Sequence, residues 1–469
     1  MTKDETIRAM LEIEGALPIP PYTPDVDAAS SPRAFCGGDA AATEMIIEEP
    51  ARRVPVVRTC DVMIAGAGPA GMAAAIAAAR AGAKTCLVDT HGCLGGIWTA
   101  GLLAWMFEMG QPGIPREITR RLDSMGARIG TDPDCYTYDI EQMKLLLETM
   151  CAEAGVAFQL HTRAVQVTKR GDSLEALITE SKSGREAWRA AAFVDATGDG
   201  DVAALAGCAF DVGREGSGEC QPMTFMALIA VKDAAALGPC ISFYGGRTDG
   251  HLEAVGHFRE HLAKAGVETS YARPTLFQVR GNLLAFMVNH EYGVSATDAR
   301  QITEASVRAR AEVHAVVRAL ARLGGPWEGV ALVSTCEHIG VREGRRIQGL
   351  HRVTQAELAA GARHLDAVCR VSFGVDVHCT NPAQGKGQEV HRTGMRPYDI
   401  PLRALIARDV DNLLLAGRCI SGDFIAHSSY RVTGVAAATG QAAGRLAAVS
   451  ALRGRRPSDI PAADVFAGA

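Results

Sequence analysis

Asp61-Val62-Met63-Ile64-Ala65-Gly66-Ala67-Gly68-Pro69-Ala70-Gly71 is the stretch on which the reading of this chain turns. Its first five residues are almost unbroken in apolar character, which predicts a strand covered on both faces. Glycines follow as Gly66-x-Gly68-x-x-Gly71, and an Ala-rich run from Met72 to Ala81 has the composition of a helix that Gly82 would stop. Lys84 to Val88 is the next strand and leads into Asp89. Together these make one β-α-β unit of about thirty residues with a right-handed crossover. Each glycine has a mechanical purpose. Gly66 allows the tight turn out of the strand, and Gly68 lets the backbone, with Pro69 and Ala70, approach a pyrophosphate at the helix N-terminus. Gly71 lets helix and strand pack closely. Asp89 stands 18 positions after Gly71, where a carboxylate accepts hydrogen bonds from ribose hydroxyls. This unit alone leaves the choice between NAD and FAD open.

Working outward, residues 1–44 are rich in Pro, Asp, Ser, Gly and Ala without a period, and read as an extension that orders only against something else. Asp139 reads as the N-cap of a helix through Met150. Short extended runs between 157 and 193 suggest a small antiparallel meander, and Phe193-Val194-Asp195-Ala196 a return to strand. The texture then changes: apolar runs mix with a long helical segment over 298–323. Asn412 to Gly417 is again a buried-type strand, and 435–452 a final Ala-rich helix. The expected fold is α/β, a Rossmann-like FAD- or NAD-type nucleotide domain with a small antiparallel meander and an inserted, mixed α+β substrate domain. Its expected divisions are the extension 1–44, a first nucleotide-domain segment at 45–206, a substrate or cap domain at 207–370, and a returning nucleotide-domain segment at 371–469.

Composition narrows the function. The 469 residues are 48% apolar and 22% charged with net charge −5, which excludes bulk disorder and argues against a nucleic-acid binder. The 40 Arg against 8 Lys are read as base composition first and as an anion pocket second. No apolar run approaches the ~18 residues of a membrane span, and the start lacks a secretory pattern, so a cytoplasmic location is expected. The 13 cysteines form no CxxC pair, which argues against a zinc ribbon, a dithiol relay and a disulfide framework.

Three further segments carry a resemblance. Asp89-Thr90-His91-Gly92-Cys93-Leu94-Gly95-Gly96 resembles the segment after the ribose-binding acid in FAD proteins of the glutathione-reductase-like fold. Val194-Asp195-Ala196-Thr197-Gly198-Asp199-Gly200 resembles their strand that closes over the cofactor. NLLLAGRCISGDFIAHSSYRVTGVAAATGQAAG, from Asn412 to Gly444, resembles their C-terminal strand and helix. From about Val54 to Ala448 the chain thus resembles the FAD-dependent oxidoreductase family, nearer its fumarate reductase and succinate dehydrogenase branch. The resemblance implies FAD as cofactor. It also implies cofactor contacts from Gly66, Gly68, Pro69, Ala70, Gly71, Asp89, Gly95, Gly96, Thr99, Val165, Ala196, Thr197, Gly198, Gly417, Arg418, Asp423, Thr433, Gly434 and Val435. A helix beginning near Thr433 would turn its partial positive charge toward reduced flavin.

His427 and Arg431, in His-x-x-x-Arg, are similar to the pair that holds a substrate carboxylate in fumarate reductase. An Arg fork suits a carboxylate, and His exchanges a proton near neutral pH. His378, His391, Arg392 and Tyr398 form a second polar group, of which His378 and Tyr398 are further catalytic candidates; His378-x12-His391 is no metal spacing, and no metal is expected. Arg342-Glu343-Gly344-Arg345-Arg346 resembles a stretch of this family that follows the substrate-domain strand, but reads as a salt-bridged surface turn unless the fold brings it into the pocket. With no second GxGxxG and no CxxC, electrons leave by oxygen, a quinone, a carrier protein or transient nicotinamide. The expected activity is hydride removal from a small polar organic substrate. Rivals are a flavin monooxygenase and, less favoured, an RNA-modifying or flavin-sensing module. No nucleic-acid partner is expected, and a homo-oligomer is left open.

Overall fold

The strand of the opening motif occupies Val56–Ala65, but only its second half, from Cys60 on, lies largely inside the protein. That half is the centre of a parallel sheet. Its neighbours are Thr85–Val88 on one side, with Ile64 opposite Leu87, and Gly184–Asp195 on the other, with Ile64 opposite Val194. Ala157–Gln159 extends the sheet beyond Thr85–Val88, and Leu413–Leu415 pairs in parallel with the end of Gly184–Asp195. The chain therefore leaves this sheet and re-enters it more than 200 residues later. The computed structural model describes residues 47–246, 250–389 and 394–466.

The meander consists of Arg163–Arg170, Ser173–Ser181 and Gly184–Asp195, all antiparallel. Two details differ from the sequence expectation. Ala157–Gln159 belongs to the parallel sheet, and the strand expected at 193–196 is the end of a 12-residue strand that began in the meander. One long strand serves both because its first half pairs with the meander while its last residues pair with Leu413–Leu415.

A five-stranded sheet, in the order Ile241–Ser242, Thr275–Arg280, Leu283–Met287, Ala227–Ala230 and Ala331–Thr335, falls within 207–370, the stretch we propose as the substrate domain. The long helix there is Ala299–Leu323, with Asp298 accepting from the backbone N–H groups of Arg300 and Gln301 as N-cap. Asp139 does the same for Ile140–Ala154, whose end at Gly155 takes the left-handed conformation.

The helix of the opening motif, Pro69–Arg80, is buried from Ala70 through Ala78. The C-terminal helix, Thr433–Arg453, packs along it. Small residues make this approach possible. A Cβ on Gly440 would stand 2.0 Å from the carbonyl oxygen of Ala70, and one on Gly444 would stand 2.1 Å from that of Ala74. Among the described residues no helix is long and apolar enough to cross a membrane.

Candidate functional site

Gly68 is the N-cap of Pro69–Arg80, with Pro69 in the first turn, no side chain capping the end and no acid beside it. The helix N-terminus is thus left to an anion. Gly66 has φ +92°, and a Cβ there would meet the Ala196 oxygen at 2.4 Å; one on Gly71 would meet the Gly66 oxygen at 1.7 Å. At Gly68 a Cβ would meet nothing within 4 Å, so the backbone is open where a pyrophosphate has to approach. Gly95 donates its N–H to the Ala67 carbonyl, and Gly96 lies against the Gly68 backbone. Thr99 is fully buried and its hydroxyl donates to the Leu94 carbonyl at 2.6 Å, so it braces this loop from behind.

Asp89 ends its strand buried. One carboxylate oxygen accepts from the Ala67 N–H at 2.5 Å, the other from the backbone and ring of His91 at 2.7 and 2.8 Å. Burial alone would raise its pKa, but the His91 and Ala67 hydrogen bonds outweigh that and hold it below the ordinary value. His338 lies 4.7 Å from His91 between ring centres; burial, with His91 and Arg418 nearby, lowers its pKa to about 4. Val165 is not brought to this loop: it packs with Val54, Ala176, Ile178 and Ala187 on the meander.

The opposite wall is assembled by the returning chain. Asp195, wholly enclosed, accepts from Thr197 and from the Ala203 N–H, and burial raises its pKa to about 6. Beyond it Arg418 pairs with Asp199 at 3.0 Å and lies against Gly198. Gly417, at φ +79°, touches Ala70 of one helix and Ala436 of the other. Thr433, Gly434 and Val435 open the C-terminal helix, which has no side-chain cap and no acid in its first turn. Gly434 donates to the Phe107 carbonyl at 3.1 Å, so the turn through Phe107 and Glu108 covers part of that end. Asp423 is occupied otherwise: one oxygen caps Phe424–Tyr430 at Ala426 and the other accepts from the Gln355 N–H.

The catalytic candidates separate. Arg431 donates to the Asp376 carbonyl at 2.7 Å and to Gln221 at 3.2 Å. His378 reaches the same aspartate, Nε2 to Oδ2, at 3.2 Å, and its backbone N–H donates to Gln221. His427 is one helical turn before Arg431 and fully enclosed, its ring against Tyr430; neither ring nitrogen has a partner among the described residues. Burial, with Arg346, Arg431 and Arg418 around it, holds His427 neutral, well below the usual histidine range. Tyr398 is not with them: it lies in the core and donates to Ser429 at 3.1 Å. His391 and Arg392 lie outside the described residues.

Three contributors were not legible in the sequence. The segment read as a surface turn is internal: Glu343 and Arg346 are each 1% exposed and paired, and Arg346 also donates to the Gly213 and Gly422 carbonyls. This burial overturns the surface reading: carbonyls of two other segments and the Glu343 carboxylate satisfy the Arg346 guanidinium inside the protein. Arg342, half-buried, donates to two neutral acceptors, the Pro222 carbonyl and the Thr224 hydroxyl, both at 2.7 Å. Burial first and Arg431 second lower its pKa to about 10, and it has no salt-bridge partner among the described residues. His290 lies tilted against Tyr271 at 4.0 Å and edge-on to His378 at 4.9 Å between ring centres; its Nε2, His378 Nδ1 and Arg431 Nε have no partner among the described residues. The Arg342–Arg346 run alone carried a signal, its resemblance to a family stretch; nothing in the sequence marked His290.

An open helix N-terminus over glycines, a carboxylate at the end of the second strand, a second clasp from the returning chain and an enclosed polar cluster beyond it define a dinucleotide-dependent enzyme. Residues 61–467 match the FAD dependent oxidoreductase family, and the chain belongs to it; FAD is the cofactor. No curated protein compared matches. Solved structures with a similar fold include a geranylgeranyl bacteriochlorophyll reductase-like protein from Thermoplasma acidophilum (12% identical, 85% of this chain and 80% of that one, TM-score 0.46). The myxobacterial chondrochloren halogenase CndH is another (11% identical, 87% and 78%, TM-score 0.42). Both likenesses are distant. The residues present fit FAD: the Gly68 face is open, a carboxylate, Asp89, follows the second strand, and His427 and Arg431 keep buried nitrogens without partners among the described residues.

Proposed function

We infer that this oxidoreductase dehydrogenates a small organic substrate carrying a carboxylate. The observation that carries this reading is Arg342, a half-buried guanidinium whose hydrogen bonds go to neutral oxygens, with Arg431 lowering its pKa from nearby. Asp376, the acid near it, is engaged by His378 and Arg431, so Arg342 has no ion-pair partner of its own among the described residues, and a substrate carboxylate in the guanidinium fork would supply one. FAD, when bound, supplies the two-electron acceptor that takes a hydride at N5. The rest falls to side chains.

Asp376 accepts from His378 Nε2, which assigns the proton of the neutral ring to Nε2 and leaves the Nδ1 lone pair free. Burial first, then Arg342, lowers the His378 pKa to about 4. A bound carboxylate neutralises Arg342 and so raises the basicity of His378 at the moment a substrate hydroxyl or amine has to lose its proton. Tyr271 and His290 close the cluster against water.

The test is anaerobic reduction of the bound flavin by matched pairs of small hydroxy or amino compounds, with and without a carboxylate. Bleaching should require the carboxylate, and Arg342→Met should raise the half-saturating concentration at least about tenfold, the equivalent of one charge-assisted hydrogen bond. Equal bleaching by the neutral partners, unaffected by Arg342→Met, refutes the reading.

A further inference from the structure

His351, Glu357 and His364 are not part of the flavin or substrate clusters, yet they bring three ligand atoms within 4.8 Å of one another. Glu357 is the third residue of a capping box. Its Oε2 accepts from the Thr354 N–H at 2.7 Å and from the Thr354 hydroxyl at 3.2 Å. That fixes Oε1 toward the two imidazoles, with His351 Nε2 at 2.9 Å and His364 Nε2 at 3.2 Å.

Two features set this apart from a carboxylate that simply accepts two hydrogen bonds. His364 Nε2 is enclosed and close to Oε1, yet its geometry is not that of a hydrogen bond. The two rings stand at 72° with centres 5.1 Å apart, so their edges converge instead of stacking. Ligands on a zinc-sized ion with bonds of 2.0–2.1 Å lie about 3.3 Å apart along a tetrahedral edge; the two measured separations are close to that. All three residues are partly shielded, with 15 to 22% of each side chain exposed.

We propose that His351 Nε2, Glu357 Oε1 and His364 Nε2 bind one divalent first-row transition cation of the zinc class, with water completing the shell. Two imidazoles and a carboxylate are a donor set such ions favour, and Thr354 is the outer-shell group that orients the carboxylate. Arg403, which interacts electrostatically with Glu357, is engaged by Asp366 at 2.9 Å. The spacing His-x5-Glu-x6-His matches no signature motif, so nothing in the sequence marks these three residues as a set.

The position gives the cation a structural role. The loop between the two histidines is joined to the Ser421–Asp423 segment through Val353 N–H to Ser421, Asp423 N–H to Val353, and Gln355 N–H to the Asp423 carboxylate. Asp423 in turn caps the helix that carries His427 and ends at Arg431. A cation that ties His351 to His364 would therefore hold the support of that helix in place without touching flavin or substrate.

The test uses the flavin-loaded protein, stripped with a chelator and titrated with Zn2+ alone against a competing chromophoric chelator. We expect one equivalent bound, a higher unfolding midpoint with Zn2+, and four-coordinate Co2+ absorption to the red of the flavin bands. His351→Ala and His364→Ala should each weaken Zn2+ at least about tenfold. Glu357→Gln, which keeps an acceptor for Thr354 but loses the charge, should do the same while retaining flavin, and it serves as the readout if either alanine variant loses its flavin. Zn2+ binding of unchanged stoichiometry and affinity in these variants, or none in the parent protein, overturns the proposal.

Discussion

His378 shows how far one residue's chemistry depends on its neighbours. Burial and Arg342 push its pKa down, whereas Asp376 pulls it up, and the outcome is a neutral ring with a free Nδ1. The pH profile of anaerobic flavin reduction should therefore rise through an apparent pKa below the ordinary 6.5 of histidine. Removing the positive charge in Arg342→Met should move that pKa upward, because a lost cation no longer disfavours the imidazolium. A profile that stays in place would separate His378 from proton transfer. His427, enclosed and unpartnered, is tested differently: His427→Ala should keep bound FAD but slow its reduction at saturating substrate, and an unaltered rate would remove it from catalysis. Gly71 is the plainest case. A Cβ there overlaps the Gly66 carbonyl, so Gly71→Ala should cost about 1–3 kcal/mol and most of the bound flavin, read from the visible absorbance of the purified protein.

At the scale of elements, the two helices that flank the nucleotide loop depend on each other. Gly440 and Gly444 sit directly over Ala70 and Ala74, and Gly417 is wedged between the same pair. Gly444→Val should separate them, lowering the denaturant midpoint and weakening FAD binding together, since the second helix is part of the clasp. A loss of stability with FAD affinity intact would mean that the C-terminal helix only packs. The sequence made the first helix legible because strand, glycines, helix and acid follow within thirty residues, each set by local backbone demands. It also marked the cap Asp139, whereas Asp298 was read only as the start of a long helix. The joined strand Gly184–Asp195 was harder to see, because its two halves have different partners and hence different apolar patterns.

For the whole molecule, the enclosed histidines dictate the response to acid. His338 and His378 both titrate near 4 in the folded protein, against about 6.5 when unfolded. Between those values the unfolded chain binds more protons, so stability is complete above about 6.5 and is lost as pH falls, by about 2 kcal/mol for each histidine at pH 5. Asp195, raised to about 6, works in the opposite sense and offsets part of the loss. Thermal unfolding of the flavin-loaded protein should show a lower midpoint at pH 5 than at pH 7, and His338→Gln should flatten the slope; an unchanged slope would contradict the assignment. The sequence by itself determined the β-α-β unit with the acid that follows it, the family resemblance and with it the cofactor, because these rest on backbone geometry written into contiguous residues. Only the tertiary structure decided which polar groups share a site. Gln221, His290, Arg342, Asp376, His378 and Arg431 come from separate segments, and what makes them chemically distinctive is their joint removal from water, which no local spacing records.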